Sequence, residues 1–204
     1  MEQKYLYVVL SATPYRIGAM IRRFTREQYN HLSLSLDEHL TPMYGFARRY
    51  YRTPLYGGFV KESLSRYCVG GKLSDIKVHR LPISEDQHRH LTELFAKMYS
   101  QKQRYLYNHL SAATACFHKR LFVKDAYTCV EFGIHILDYL GLDVDIKKYH
   151  TVGAVAQLLD EYTVYTGPIP EGAYDEDYMQ PKPVPHPVWV TIRDIFALFP
   201  RWGK

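Results

Sequence analysis

The chain has 204 residues, of which 47% are hydrophobic and 23% are charged. This is the balance of an ordinary globular protein and excludes wholesale disorder. At about 150 residues per domain, the length favours one domain spanning residues 1–204. No segment approaches the roughly 18 consecutive apolar residues of a membrane-spanning helix. The first residues also lack the apolar run of a secretory signal, so we expect a cytoplasmic protein with no integral membrane segment.

Cysteine content and short motifs narrow the chemistry further. Cys68, Cys116 and Cys129 are odd in number and show no CxxC spacing, which argues against a disulfide framework and a cysteine zinc site. No Walker loop, GxGxxG or HExxH motif occurs, so we expect no metal and no organic cofactor. The net charge is +5, but the basic residues are scattered. We therefore expect a basic solvated surface and no nucleic-acid partner, and we leave the oligomeric state open.

The first half of the chain is predicted to consist mainly of strands. Residues 5–10 are aromatic and β-branched, and residues 31–36 alternate strictly between polar residues and leucine, which predicts a half-buried strand. A turn and a second strand at 43–47 complete an antiparallel hairpin. The remaining predictions are an amphipathic helix at 14–25 and strands at 59–62 and 75–81, the last ended by Pro82.

The second half is predicted to be mainly helical. Ser84 and Gln87 form a capping-box pattern that begins a helix ending near Gln103. Strands that come first and helices that come later indicate an α+β fold. The other predicted helices are 105–115, 128–140, 152–160 and 188–199, a possible strand lies at 162–165, and the proline-rich segment 167–187 is predicted to be a surface loop bordering a cleft.

Cys129 is the first candidate for a nucleophile, because it follows Thr128 at the predicted start of a helix. Unpaired N–H groups and the helix dipole favour a thiolate there. His31 is the candidate base, since it opens a strand on the polar face. Spacing alone also allows Cys129 to be a small buried hydrophobe and His31 a surface residue. Cys116, near His118, is a second candidate nucleophile.

Two segments resemble a known enzyme group. Residues 29–37 (YNHLSLSLD) with 43–46 (MYGF) resemble the histidine hairpin of NlpC-type, papain-like cysteine hydrolases. Residues 128–132 (TCVEF) resemble the helix start of their circularly permuted branch, the YiiX-like proteins, which are related to lecithin retinol acyltransferases. In that branch the histidine precedes the cysteine, as His31 precedes Cys129 here. The resemblance covers most of residues 4–165.

The resemblance implies a permuted papain-like fold, in which an antiparallel half-barrel packs on the helix carrying Cys129. It also implies attack by Cys129 on a carbonyl, with His31 as the base and a thioester acyl-enzyme as the intermediate. The expected activity is that of a cysteine peptidase or amidase. The expected partner is a small peptide or another substrate that contains amino acids, such as a cell-wall-like peptide.

The sequence departs from this group at the residue that orients the histidine. The group has a polar residue on the strand after the histidine strand, and that position falls near Gly45 here; Tyr44 and Arg48 alternate onto the other face. A catalytically silent module that binds a peptide or amino acid therefore stays an alternative. A hydrolase or acyltransferase acting on lipid acyl esters or thioesters is another. Glu131 lies roughly 200° around the helix from Cys129, so we expect it to cap the helix instead of taking part in catalysis.

Overall fold

The computed structural model describes residues 2–15, 18–19, 22–23, 26–50, 53, 55–69, 72–148, 150–169 and 187–204. The protein is α+β, as the sequence predicts. The strands are β1 Lys4–Ser11, β2 His31–Ser35, β3 Met43–Arg48, β4 Gly57–Glu62, β5 Cys68–Val69, β6 Lys72–Leu73, β7 Asp75–Ile83, β8 Leu106–Tyr107, β9 Ala126–Tyr127 and β10 Thr163–Pro168. The α-helices of this part of the chain are α1 Glu85–Ser100, α2 His109–Thr114, α3 Cys129–Tyr139, α4 Val152–Leu158 and α5 Pro187–Phe196.

An open eight-stranded sheet organises the molecule, in the order β10-β7-β1-β2-β3-β4-β8-β9. Neighbouring strands are antiparallel except for β8 and β9, which are parallel. The strands β5 and β6 form a separate small hairpin. The predicted hairpin of β2 and β3 is confirmed, with Leu34 opposite Tyr44.

Side chains from alternate strand positions build a core on each face of the sheet. Leu6, Val8 and Leu32 face the helices, and α3 packs on β2 and β3. The approach of α3 to β2 is close, because a Cβ at Gly133 would lie only 2.7 Å from a Leu32 methyl carbon. The opposite face buries a second cluster of Tyr7, Val9, Leu40, Met43, Leu64, Tyr67, Ile76, Val78 and Ile169.

Several sequence predictions are corrected by the fold. All five residues of β2 are buried, so the strand is covered on both faces and is not half-buried. The predicted helix at 105–115 divides into β8 and the shorter α2. The strand β7 continues past Pro82 to Ile83, because Pro82 pairs with Tyr5 of β1.

The remaining predictions are confirmed or lie partly outside the described residues. The capping box of Ser84 and Gln87 begins α1, and Gly141, with a φ of 87°, follows α3. Residues 18–19 and 22–23 of the predicted helix 14–25 are helical. Most of the predicted loop 167–187, namely residues 170–186, lies outside the description. Among the described residues, we find no helix with the length and apolar character needed to cross a bilayer.

Candidate active site

Cys129 lies at the first position of α3, where the sequence predicts it. Thr128 caps the helix by accepting a hydrogen bond from the Glu131 N–H, and the Glu131 carboxylate accepts one from the Thr128 N–H at 2.7 Å. The first turn of a helix leaves backbone N–H groups without intrahelical partners. The Cys129 sulfur therefore sits beside backbone donors, and only 6% of the residue is exposed.

His31 is the first residue of β2 and is also buried. Its Nε2 lies 3.1 Å from Glu62 Oε2 and 3.1 Å from Ser33 Oγ. Cys129 lies close to the same imidazole and raises the pKa of His31. Because Nε2 contacts Glu62 and Ser33, Nδ1 is the ring nitrogen that remains for the thiol. The structure thus brings His31 and Cys129 together, and both line one cavity of about 250 Å³.

Glu62 is the residue that the sequence analysis missed. It ends β4 and lies opposite Met43 of β3, and antiparallel partners share a face of the sheet. Its carboxylate reaches His31 from one strand beyond Gly45. A Cβ at Gly45 would lie 3.7 Å from Ser33 Oγ, so Gly45 borders this network without contributing a polar group. The signal available in the sequence was an acid at an alternating position of a strand paired with β3.

The Glu62 side chain has no solvent exposure and is surrounded by donors. Ser33 Oγ donates to Oε2 at 2.8 Å, and the Tyr67 hydroxyl donates to the same oxygen. Arg66 Nη1 lies 3.2 Å from Oε1. Such a group of donors satisfies a buried carboxylate and keeps it in one orientation.

The charges of this network shift the pKa values of Glu62 and His31 away from their ordinary values. Burial acts to raise the pKa of Glu62, but the charge and hydrogen bond of His31, together with Arg66 and Tyr67, lower it overall. Burial acts to lower the pKa of His31, but Glu62 and then Cys129 raise it above 6.5. An imidazolium on His31 beside a carboxylate on Glu62 is the charge state that these contacts favour.

The two residues near Gly45 behave differently from one another. Tyr44 packs against Phe59 and Phe95 in the helix-facing core, as alternation predicts. Arg48 lies at the end of β3 and lines the same cavity as His31, with its guanidinium over the Tyr15 ring.

The predicted capping role of Glu131 is confirmed. Besides closing the capping box with Thr128, its carboxylate accepts a hydrogen bond from Asn108 Nδ2 at 3.2 Å and lies 3.4 Å from Arg120 Nε. Arg120 also contacts His135 Nε2 at 3.0 Å. Glu131 thus fixes the start of α3 from the side of the 108–121 segment.

The other cysteines lack these partners or lie outside the description. Cys68 is partly buried, its thiol donates to the Leu64 carbonyl at 3.9 Å, and burial raises the pKa of that thiol. The Cys116 side chain is outside the described part of the chain. No group of three or more potential metal-ligating side chains occurs among the residues that the structure places.

A second cavity, of about 150 Å³, adjoins the first at Cys129. Asn30, Tyr107, Ala112 and Cys129 line both cavities. Cys129 therefore lies where the two cavities adjoin, with space for a ligand in each.

Comparisons with known proteins add nothing to this geometry: no family model, no curated protein and no solved structure matches the chain.

Proposed function

We propose that the protein is a cysteine hydrolase that cleaves an amide bond, with Cys129 as the nucleophile, His31 as the base and Glu62 as the group that orients the imidazole. The observation that carries this proposal is one buried imidazole that contacts a buried carboxylate and lines the same cavity as a thiol at a helix N-terminus. Nucleophilic acyl transfer depends on such an arrangement of a nucleophile, a base and a group that orients the base.

The proposed reaction has two steps. His31 takes the thiol proton, the sulfur attacks the carbonyl carbon, and the tetrahedral intermediate collapses to a thioester while His31 gives the proton to the leaving amine. Water then adds to the thioester carbonyl with His31 as the base, and the thiol leaves with the proton restored. In this proposal, the N–H groups at the start of α3 support the negative charge on the carbonyl oxygen.

The place of Cys129 between two cavities supports a substrate that extends on both sides of the scissile bond. In this proposal, the acyl part of a peptide or of a cell-wall-like peptide lies in one cavity, and the leaving group lies in the other. Glu62 also removes the reason for favouring a silent binding module, which was the lack of an orienting side chain near Gly45.

The test uses a short pulse of iodoacetamide on the native protein near neutral pH, followed by peptide mapping. We expect Cys129 to be labelled at least about tenfold faster than Cys68, because the proposed base, His31, lies near its thiol and burial raises the pKa of the Cys68 thiol. A panel of aminoacyl and peptidyl amides and of acyl esters then identifies the substrate class. The matched controls are Cys129→Ala and Cys68→Ala.

Three results decide the proposal. Turnover that Cys129→Ala abolishes and Cys68→Ala preserves supports it, and mass spectrometry should then detect a thioester on Cys129. Hydrolysis of acyl esters but of no amide would replace the amidase proposal with an esterase. Equal slow labelling of both cysteines, with no turnover of any reporter, would favour the binding module.

A further inference from the structure

The helix α5 presents its apolar face to solvent. Trp189 and Phe196 are 69% and 67% exposed, and they lie on one side of the helix with Ile192. The polar Asp194 is turned inward and is only 8% exposed. A surface helix normally does the reverse, burying its apolar face and exposing its charges. We call the outward face the C-terminal surface, comprising Val188, Trp189, Ile192, Phe196 and Phe199.

The inner side of this segment already packs against the rest of the protein. The outward face is therefore not the face that holds the segment in place. Leu198 is fully buried in a cluster with Leu106, Val123 and Ala126. The Asp194 carboxylate accepts hydrogen bonds from Arg193 Nε and Nη2, at 3.0 and 2.8 Å. The C-terminal surface extends past the helix, because the rings of Phe196 and Phe199 lie 6.2 Å apart.

The charges near the C-terminal surface are mainly positive. Residues 187–204 contain Arg193, Arg201 and Lys204, and the acid among them, Asp194, pairs with Arg193 at 2.8 Å. A further cation, Lys124, belongs to the neighbouring segment, whose backbone N–H donates to the Arg201 carbonyl at 3.2 Å. The acid that follows it, Asp125, pairs with Arg104. Arg201, Lys204 and Lys124 therefore give the rim of the apolar face a net positive charge.

We propose that the C-terminal surface binds peripherally to an anionic lipid bilayer. Tryptophan and phenylalanine side chains with flanking arginine and lysine are the chemistry of helices that lie in the plane of a membrane interface. Anionic headgroups complement the positive rim, and the apolar side chains enter the headgroup boundary. A second copy of the chain fits less well, because it would bring the same cations face to face.

The proposal is independent of the hydrolase proposal, although the two sites are near each other. The charge of Asp194 acts on His109, which lines the cavity of Cys129 and His31. A bilayer that holds the C-terminal surface would therefore lie close to this cavity. Vesicle binding needs no turnover, so the two proposals can fail separately.

The chain carries its own reporter, since its two tryptophans, Trp189 and Trp202, both lie in this segment. The full chain with Trp202→Phe retains Trp189 alone. We expect its emission to shift to shorter wavelength on vesicles of phosphatidylcholine with phosphatidylglycerol. Vesicles with brominated acyl chains should quench it. Vesicles of phosphatidylcholine alone should bind about tenfold less protein, and added salt should weaken binding to the anionic vesicles.

Two substitutions separate this surface from general hydrophobicity. In the same background, Phe196→Ser should weaken vesicle binding about tenfold or more, because a large apolar side chain is lost from the contact. Val164→Ser is the matched control, since Val164 is 49% exposed on β10, at the sheet edge opposite β9. It should leave binding unchanged, and circular dichroism checks the fold of both variants.

Three results would overturn the proposal. One is no binding to anionic vesicles, and another is equal binding to neutral vesicles without salt dependence. The third is self-association, measured by sedimentation, that Phe196→Ser abolishes in the absence of vesicles, which would make the face an interface between copies of the chain.

Discussion

Two buried glutamates, Glu62 and Glu131, belong to separate networks near Cys129, and their surroundings differ in one respect. Glu62 and Glu131 each contact an arginine and a side-chain donor of another residue. Glu62 also contacts His31, a group that titrates and that lines the same cavity as Cys129. Glu131 contacts the backbone N–H of Thr128. The first carboxylate is therefore coupled to the proposed chemistry, whereas the second is coupled to the position of the helix.

The largest difference between the two networks is expected in kcat/KM, when the histidine of each network, His31 or His135, is replaced by alanine. His31→Ala should lower kcat/KM on a validated reporter about a thousandfold, because the proposed base is lost. His135→Ala is the matched control, since His135 contacts Arg120 in the Glu131 network. It should leave the kcat/KM of folded protein within about threefold. A loss below about tenfold for His31→Ala would show that His31 is not the base.

The next largest difference between the two glutamates is expected in the free energy of unfolding. Glu62→Gln leaves Arg66 and a protonated His31 without their buried carboxylate, so we expect a loss of about 3 kcal/mol in the free energy of unfolding. Glu131→Gln keeps an oxygen that accepts the capping-box bond, and it should cost about 1 to 2 kcal/mol. Urea unfolding of both variants measures the difference. Equal losses would contradict the comparison.

The pH dependence of that loss follows from the two shifts. The pKa of Glu62 is lowered in the folded protein. The stability that Glu62 adds to the fold is therefore present above pH 4.5 and is lost as pH falls toward the folded pKa. The pKa of His31 is raised in the folded protein. The stability that His31 adds to the fold is therefore present below pH 6.5 and is lost as pH rises. The difference between wild type and Glu62→Gln should therefore be largest between pH 4.5 and 6.5.

Activity should also respond to Glu62 in a way that a purely structural role does not explain. Without the carboxylate, the pKa of His31 falls, so the imidazolium that gives its proton to the leaving amine survives only to a lower pH. We expect Glu62→Gln to move the alkaline limb of kcat/KM against pH to lower pH and to reduce the maximum about thirtyfold. The limb should stay in place in Glu131→Gln, and an unmoved limb in both variants would remove Glu62 from the proposed mechanism.

The sequence predicts the parts of this arrangement that depend on local pattern. The hairpin of β2 and β3 follows from alternation, and the start of α3 and the role of Glu131 follow from a capping box. Glu62 was missed because its contact with His31 depends on the register of β4 against β3, which no local pattern encodes. The short β8 gave no periodic signal and was predicted as a helix.

The same limit explains the wrong prediction for the polar face of β2. Alternation with serine ordinarily indicates a solvated face. Ser33 and His31 are nevertheless buried, because Glu62 at the end of β4 and Arg66 and Tyr67 just beyond it cover them. Polar side chains that satisfy one another can be buried as completely as leucine. Long-range pairing therefore decides whether a polar strand face is a surface or a site.

The smallest effect is expected from the cap itself. Thr128→Ala removes the oxygen that accepts from the Glu131 N–H at 3.2 Å, while Glu131 still accepts from the backbone N–H of residue 128. A lost threonine cap costs about 1 kcal/mol, which urea unfolding should detect. Because the remaining bond and Asn108 still fix the first turn of α3, kcat/KM should fall less than about threefold. A matched cap, Thr151→Ala at the start of α4, should cost a similar free energy without touching the turn that carries Cys129. If Thr128→Ala lowered kcat/KM far more than Thr151→Ala at equal stability, the cap would position the thiol, and the division between the two networks would have to be redrawn.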